Sequence, residues 1–213
     1  PNAADFTIVH DSLLNFNRVQ FRKERDWDDK LVIIYVGAHG LANHLIQVIE
    51  TAEILKDTNI HFVLIGDGMQ KTKLIEEANS RKLINVEFIP PQSKSKIFKF
   101  IKASDIGASV LKKNDTFKTV YSNKTFDYMA CKIPVLMVID GISRQLIEEA
   151  QAGIFVEPEN PQDFAKKVMF YNDNPEFILQ HGENGYHYAL NHFDRKSLAE
   201  KYLTQINGII ANV

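Results

Sequence analysis

The chain has 213 residues, 45% of them apolar and 24% charged, and a formal net charge of −2. That length is enough to bury a full core, and the composition is ordinary for a globular protein. The near-neutral charge balance excludes the large basic field that nucleic-acid binding needs.

Residues 1–30 are polar and mixed, with a charged run from Arg22 to Lys30, and read as a lead-in to the domain of residues 31–213. Leu31–Val36 is a continuous apolar, β-branched run closed by Gly37, the pattern of a strand covered on both faces. Leu45, Val48, Ile49, Ala52 and Leu55 then recur at helical spacing. Ile60–Ile65 is a second strand, ended by Gly66-Asp67-Gly68 and followed by a helix over residues 69–82. A short strand at Val86–Ile89 stops at Pro90-Pro91, and residues 93–103 place Ile97, Phe98 and Ile101 on one helical face. Strands over 106–111, 133–139 and 153–156 alternate with helices over 122–131 and 141–150. Beyond Pro158 the pattern is helical near 161–173, 175–190 and 194–210. Six strands alternating with helices through short connections predict an α/β fold, a doubly wound parallel six-stranded Rossmann-like sheet with C-terminal helices.

Such sheets bind ligands at the carboxyl ends of their strands, where the strand order reverses. Attention therefore falls on the loops 37–44, 66–69, 89–93, 111–122 and 139–143. Gly37, Ala38, His39 and Gly40 follow the first strand; their small residues let backbone approach a phosphate, although an ordinary strand-to-helix turn fits equally well. Gly66-Asp67-Gly68 reads as a turn whose aspartate caps the next helix. Ser122 and Asn123 are good caps, and with Lys124 they would gather at a helix start that attracts phosphate. Asp127, one turn further on, can accept two hydrogen bonds from a ribose diol, or else pair with Lys124 on a helix surface.

A single cysteine, Cys131, excludes an internal disulfide framework and suits a reducing compartment. No apolar run approaches the ~20 residues of a membrane span. The expected location is the cytoplasm, with peripheral membrane contact left to parts of the protein outside this chain. The acceptor pattern Asn123-Lys124-Thr125 is then a coincidence, and His39 with His44 lacks the neighbours of a metal site.

Taken in order, these segments resemble the C-terminal, donor-binding domain of GT-B-fold, family 4 retaining glycosyltransferases of bacterial surface-polysaccharide type. Residues 1–6 look like the segment that leaves the N-terminal domain, and residues 35–40 like the first strand and glycine loop. Residues 64–68 resemble the family's v-G-d-G, 86–90 its V-x-F-x-G with Pro90 for glycine, and 104–106 its a-D-i. Residues 123–135 resemble s-K-l-x-E-y-m-A-x-G-k-P-v; Gly153-Ile154 and the segment from Phe193 to Leu203 also fit.

The resemblance implies a nucleotide-sugar substrate, UDP-linked, with no cofactor and no metal. The acceptor, a glycan or lipid-linked sugar, would be held by an N-terminal domain outside this chain. Gly37, Ala38, His39 and Gly40 would face the donor phosphates and sugar, and the backbone of Phe88, Ile89 and Pro90 would read the base. Ser122, Asn123, Lys124 and Thr125 would hold the diphosphate and Asp127 the ribose hydroxyls, while the catalytic residues stay unassigned. The first glutamate of the family's E-x7-E pattern falls on Thr119, and its basic pair falls on Ala38 and Asn43. Losing one charge-assisted contact of that kind costs about 1.5–3 kcal/mol, which Lys124, Lys112 or Lys113 and helix amides could offset. The departures leave two alternatives beside transfer: a GT-B sugar-nucleotide epimerase, or a non-catalytic nucleotide-binding or scaffolding module. A flavodoxin-like or NAD-binding regulator is disfavoured, because no phosphate loop of the right spacing occurs.

Overall fold

The computed structural model describes residues 2–210. Two short helices, α1 (Phe6–Leu13) and α2 (Arg18–Lys23), precede β1 (Leu31–Val36), α3 (Ile46–Ile54), β2 (Ile60–Ile65) and α4 (Lys71–Ser80). Then follow β3 (Val86–Ile89), α5 (Lys94–Ala103), β4 (Ile106–Val110), α6 (Asn123–Ala130), β5 (Val135–Val138), α7 (Ile142–Glu149) and β6 (Gly153–Phe155). Three helices close the chain: α8 (Pro161–Asp173), α9 (Glu176–Phe193) and α10 (Arg195–Ile210).

All six strands are parallel, in the order β3-β2-β1-β4-β5-β6, so the order reverses between β1 and β4. The expected six-stranded Rossmann-like sheet is therefore present. Strand five begins two residues later than its apolar run. Pro134 has no N–H for the ladder, and its carbonyl accepts from the Gly107 amide at 2.9 Å.

Alternation along each strand sends neighbouring side chains to opposite faces, and each face has its own core. Val32, Ile34, Val63, Ile65, Val135 and Met137 pack beneath α5, α6 and α7, with α1 and α9 outside them. Ile33, Tyr35, Phe62, Leu64, Val110 and Val138 pack beneath α3, α4 and α8. Burying one such side chain contributes about 1.5–3 kcal/mol, so both faces are strongly held.

The lead-in is more ordered than its mixed composition implies. Asp5 caps α1 by accepting from the Ile8 amide at 3.1 Å, and Asn17 caps α2 by accepting from the Gln20 amide at 3.0 Å. Arg22 is buried, and its guanidinium donates to the carbonyls of Ala103, Trp27 and Lys30, each at 2.7 Å, and to Asp105 at 3.0 Å. The Asp105 carboxylate also accepts from the Val32 amide at 2.8 Å, which ties the lead-in to β1. Among the described residues no helix is long and apolar enough to cross a membrane.

Candidate functional site

Strand order reverses between β1 and β4, the place where open parallel sheets take their ligands at the carboxyl ends of the strands, and the loops there are bound to one another. The His39 amide donates to the Asp67 carbonyl at 2.8 Å, and the Gln70 amide donates to the His39 carbonyl at 2.9 Å. A Cβ on Gly66 would overlap the Gly37 carbonyl oxygen, and one on Gly68 would come within 2.6 Å of the His39 carbonyl oxygen. Both glycines hold positive φ, +149° and +152°, so only glycine permits this approach. The Gly66 amide donates to the Ile89 carbonyl at 3.1 Å, which adds the segment Phe88–Pro90 to the assembly. Across the reversal, the Lys112 amide donates to the Ala42 carbonyl at 2.8 Å.

Lys124 comes from the other wall. It stands on the first turn of α6, with its ammonium 4.8 Å from the centre of the Tyr35 ring and its stem beside Gly37. It is half-buried and pairs with no carboxylate among the described residues. Burial lowers its pKa to about 8. Ser122 takes the N-cap position but makes no side-chain capping bond, so first-turn amides of α6 stay available to an anion. Thr125 is buried and its hydroxyl is committed to Ser109 on β4 at 2.8 Å, whereas Asn123 is exposed. A cation and a helix N-terminus thus converge where strand order reverses.

Asp127 does not pair with Lys124, contrary to the simplest helix-surface reading of their spacing. It is half-buried; burial raises its pKa, opposed by the charges of Lys94 and Arg195. Its carboxylate makes no hydrogen bond among the described residues, which leaves both oxygens able to accept.

His39 is fully buried at 0% exposure, with its ring 6.1 Å from that of Tyr35 and 6.2 Å from that of Phe88, centre to centre. Neither ring nitrogen has a hydrogen-bond partner among the described residues. Burial, reinforced by the Lys71 charge and opposed by Asp67, lowers its pKa to about 4, so the imidazole is neutral at pH 7.

Several local expectations change. The Gly37–Gly40 loop does not lead directly into a helix: a 3-10 turn over Leu41–Asn43 and a left-handed His44 (φ +46°) precede α3. The Asp67 carboxylate accepts from the adjacent Gly68 amide at 2.8 Å and leaves α4 without a side-chain cap. Lys113, a candidate to offset the missing basic pair, is tied to Glu157 at 2.7 Å. Thr119 ends an unforeseen 3-10 turn (Asp115–Thr119), where its hydroxyl donates to the Thr116 carbonyl at 3.0 Å. A cavity of about 410 Å³ opens beside this turn, lined by Lys112, Asn114, Phe117, Asp140 and Glu157. Among the described residues no three His, Cys, Asp or Glu side chains converge as metal ligands.

Residues 17–188 match the family model of glycosyl transferases group 1. The chain is 25% identical over 184 residues to WcaI of Escherichia coli K12, which carries the provisional name of a colanic acid biosynthesis glycosyl transferase. That match covers 85% of this chain but 44% of WcaI, so the chain spans less than half the length of that relative. Among solved structures it resembles HepE of Anabaena in complex with UDP-glucose, with TM-score 0.82 and 15% identity, over 97% of this chain and 56% of that one. It also resembles the C-terminal domain of LpcC, a group 1 glycosyl transferase from Francisella tularensis, with TM-score 0.72 and 20% identity, over 90% of this chain and 99% of that one. The parallel sheet and its strand order are those of one half of a GT-B fold, and the chain belongs to the glycosyl transferases group 1 family.

Proposed function

We propose that this chain is the donor-binding half of a retaining family 4 glycosyltransferase of bacterial surface-polysaccharide type, and that its donor is a UDP-sugar. The observation that carries the reading is Lys124: a half-buried ammonium on the first turn of α6, without a carboxylate partner among the described residues and held against Gly37 at the reversal of strand order. Fixed cations and helix amides at that point stabilise the charge that develops on a departing diphosphate. HepE, solved with UDP-glucose, and WcaI, with its name in colanic acid biosynthesis, support the choice of donor and pathway class.

In this assignment the diphosphate lies on Lys124 and the α6 amides, the ribose diol on Asp127, and the base along the backbone of Phe88–Pro90. The sugar lies towards the loop from Gly37 to Gly40. The acceptor, a glycan or lipid-linked sugar, is held by a second half outside this chain. The chain alone binds donor without turning it over. The whole enzyme works in the cytoplasm, in peripheral contact with a membrane.

Calorimetric titration with UDP, GDP and ADP tests the reading. Saturable UDP binding, weakened about tenfold or more in Lys124→Met, is the expected result. No nucleotide binding, or UDP binding indifferent to that substitution, overturns it. Thr119, where the family places a carboxylate, favours a second reading as a nucleotide-binding module without transfer. A full-length protein that binds UDP and never consumes a UDP-sugar would fit that instead.

A further inference from the structure

Lys124 has no carboxylate partner among the described residues, so its place must be set by other contacts. Its ammonium lies 4.8 Å from the centre of the Tyr35 ring, inside the ~6 Å over which a ring face attracts a cation. A carboxylate in that place would orient the ammonium but cancel most of its charge. A neutral ring orients it and leaves the charge for a ligand.

Tyr35 is itself firmly held. Its backbone belongs to the β1 ladder, in register with Leu64 of β2, and its side chain is buried. Its hydroxyl donates to the Ala38 carbonyl at 2.8 Å, which stops the ring from swinging away. Burial raises the phenol's pKa, so the hydroxyl keeps the proton that it donates. Gly37 fits between the two side chains: a Cβ there would sit 3.2 Å from both the Lys124 Cε and the Tyr35 hydroxyl oxygen. One phenol thus touches both sides of the reversal in strand order, the loop after β1 through its hydroxyl and the first turn of α6 through its ring.

We propose that Tyr35 is a positioning residue of the donor site, whose ring face seats the Lys124 ammonium for the diphosphate. The role rests on the donor reading above. Tyr35 touches no reacting atom and acts through Lys124.

The test is a calorimetric titration of the chain with UDP and with uridine. Tyr35→Phe keeps the ring and serves as the reference. Replacing Tyr35 instead by mono-, di- and trifluorinated phenylalanines drains charge from the ring face with little change of shape. UDP affinity should fall stepwise along that series, to about tenfold. The steps should vanish in Lys124→Met, because the effect runs through that side chain. Uridine, which has no phosphate to meet Lys124, should not register them, whereas a loosened fold would weaken both ligands in both backgrounds. A flat UDP series in a protein whose UDP binding still depends on Lys124 overturns the role of Tyr35 and leaves the donor reading standing. The same steps in Lys124→Met, or with uridine, overturn it as well. Absence of UDP binding, or UDP binding indifferent to Lys124→Met, removes both.

Discussion

Lys124 rests against Gly37: a Cβ on that glycine would sit 3.2 Å from the Lys124 Cε, and φ there is +149°. Gly37→Ala therefore strains the backbone and pushes the lysine from its place. The strain costs about 1–3 kcal/mol, and UDP affinity should drop by about tenfold. Thermal unfolding and calorimetry read the two effects separately; a variant with unchanged affinity would show that this contact does not orient the lysine.

The lowered pKa of Lys124, about 8, gives the binding a pH signature. The ammonium is the form that attracts diphosphate, and the free protein loses it as pH rises through 8. UDP affinity should fall across pH 8–10, and Lys124→Arg should remove that dependence, since arginine stays charged. A flat profile in the parent protein would mean that another group carries the phosphate contact.

Both carboxylate oxygens of Asp127 are without a hydrogen bond among the described residues. Asp127→Ala should weaken UDP by about 1.5–3 kcal/mol, the worth of hydrogen bonds to a charged group. The same substitution should leave 2′,3′-dideoxy-UDP unaffected, because that ligand has no diol to lose. Equal losses for both ligands would assign Asp127 a structural role instead.

His39 ties folding to pH. Its folded pKa of about 4 lies below the ordinary 6.5, so the folded state refuses a proton that the unfolded chain accepts. Stability should therefore fall as pH drops from 6.5 to 4 and level off below, with about 2–3 kcal/mol lost by pH 4.5. In His39→Leu that slope should vanish. Urea unfolding at pH 7 and pH 4.5, in both proteins, measures the difference.

Much of the fold was legible because buried parallel strands write themselves as apolar runs. Leu31–Val36 and Ile60–Ile65 have in the structure the boundaries that their sequences suggest. The lead-in helices were hidden by their brevity, yet each carried a signal: Asp5 before Phe6 and Val9, and Asn17 before a short charged segment. At the site, spacing could bring Lys124 and Asp127 to one helix but could not say where each side chain turns. Lys124 turns to Tyr35 because β1 lies beside the first turn of α6, a neighbour that local sequence does not specify. The burial of His39, which has no hydrogen-bond partner among the described residues, was likewise invisible, since it comes from loops contributed by β2 and β3.

The strand order has a kinetic consequence. β1, β2 and β3 are joined by consecutive short crossovers, so that part of the sheet can assemble from nearby chain. β4 must then return past two strands to lie beside β1, where Ile33 meets Ile106. Closing so long a loop is slow relative to local pairing. The proposed donor site thus lies on the seam that zips late, and if a nucleotide binds there across both sides it should retard unfolding more than it hastens folding.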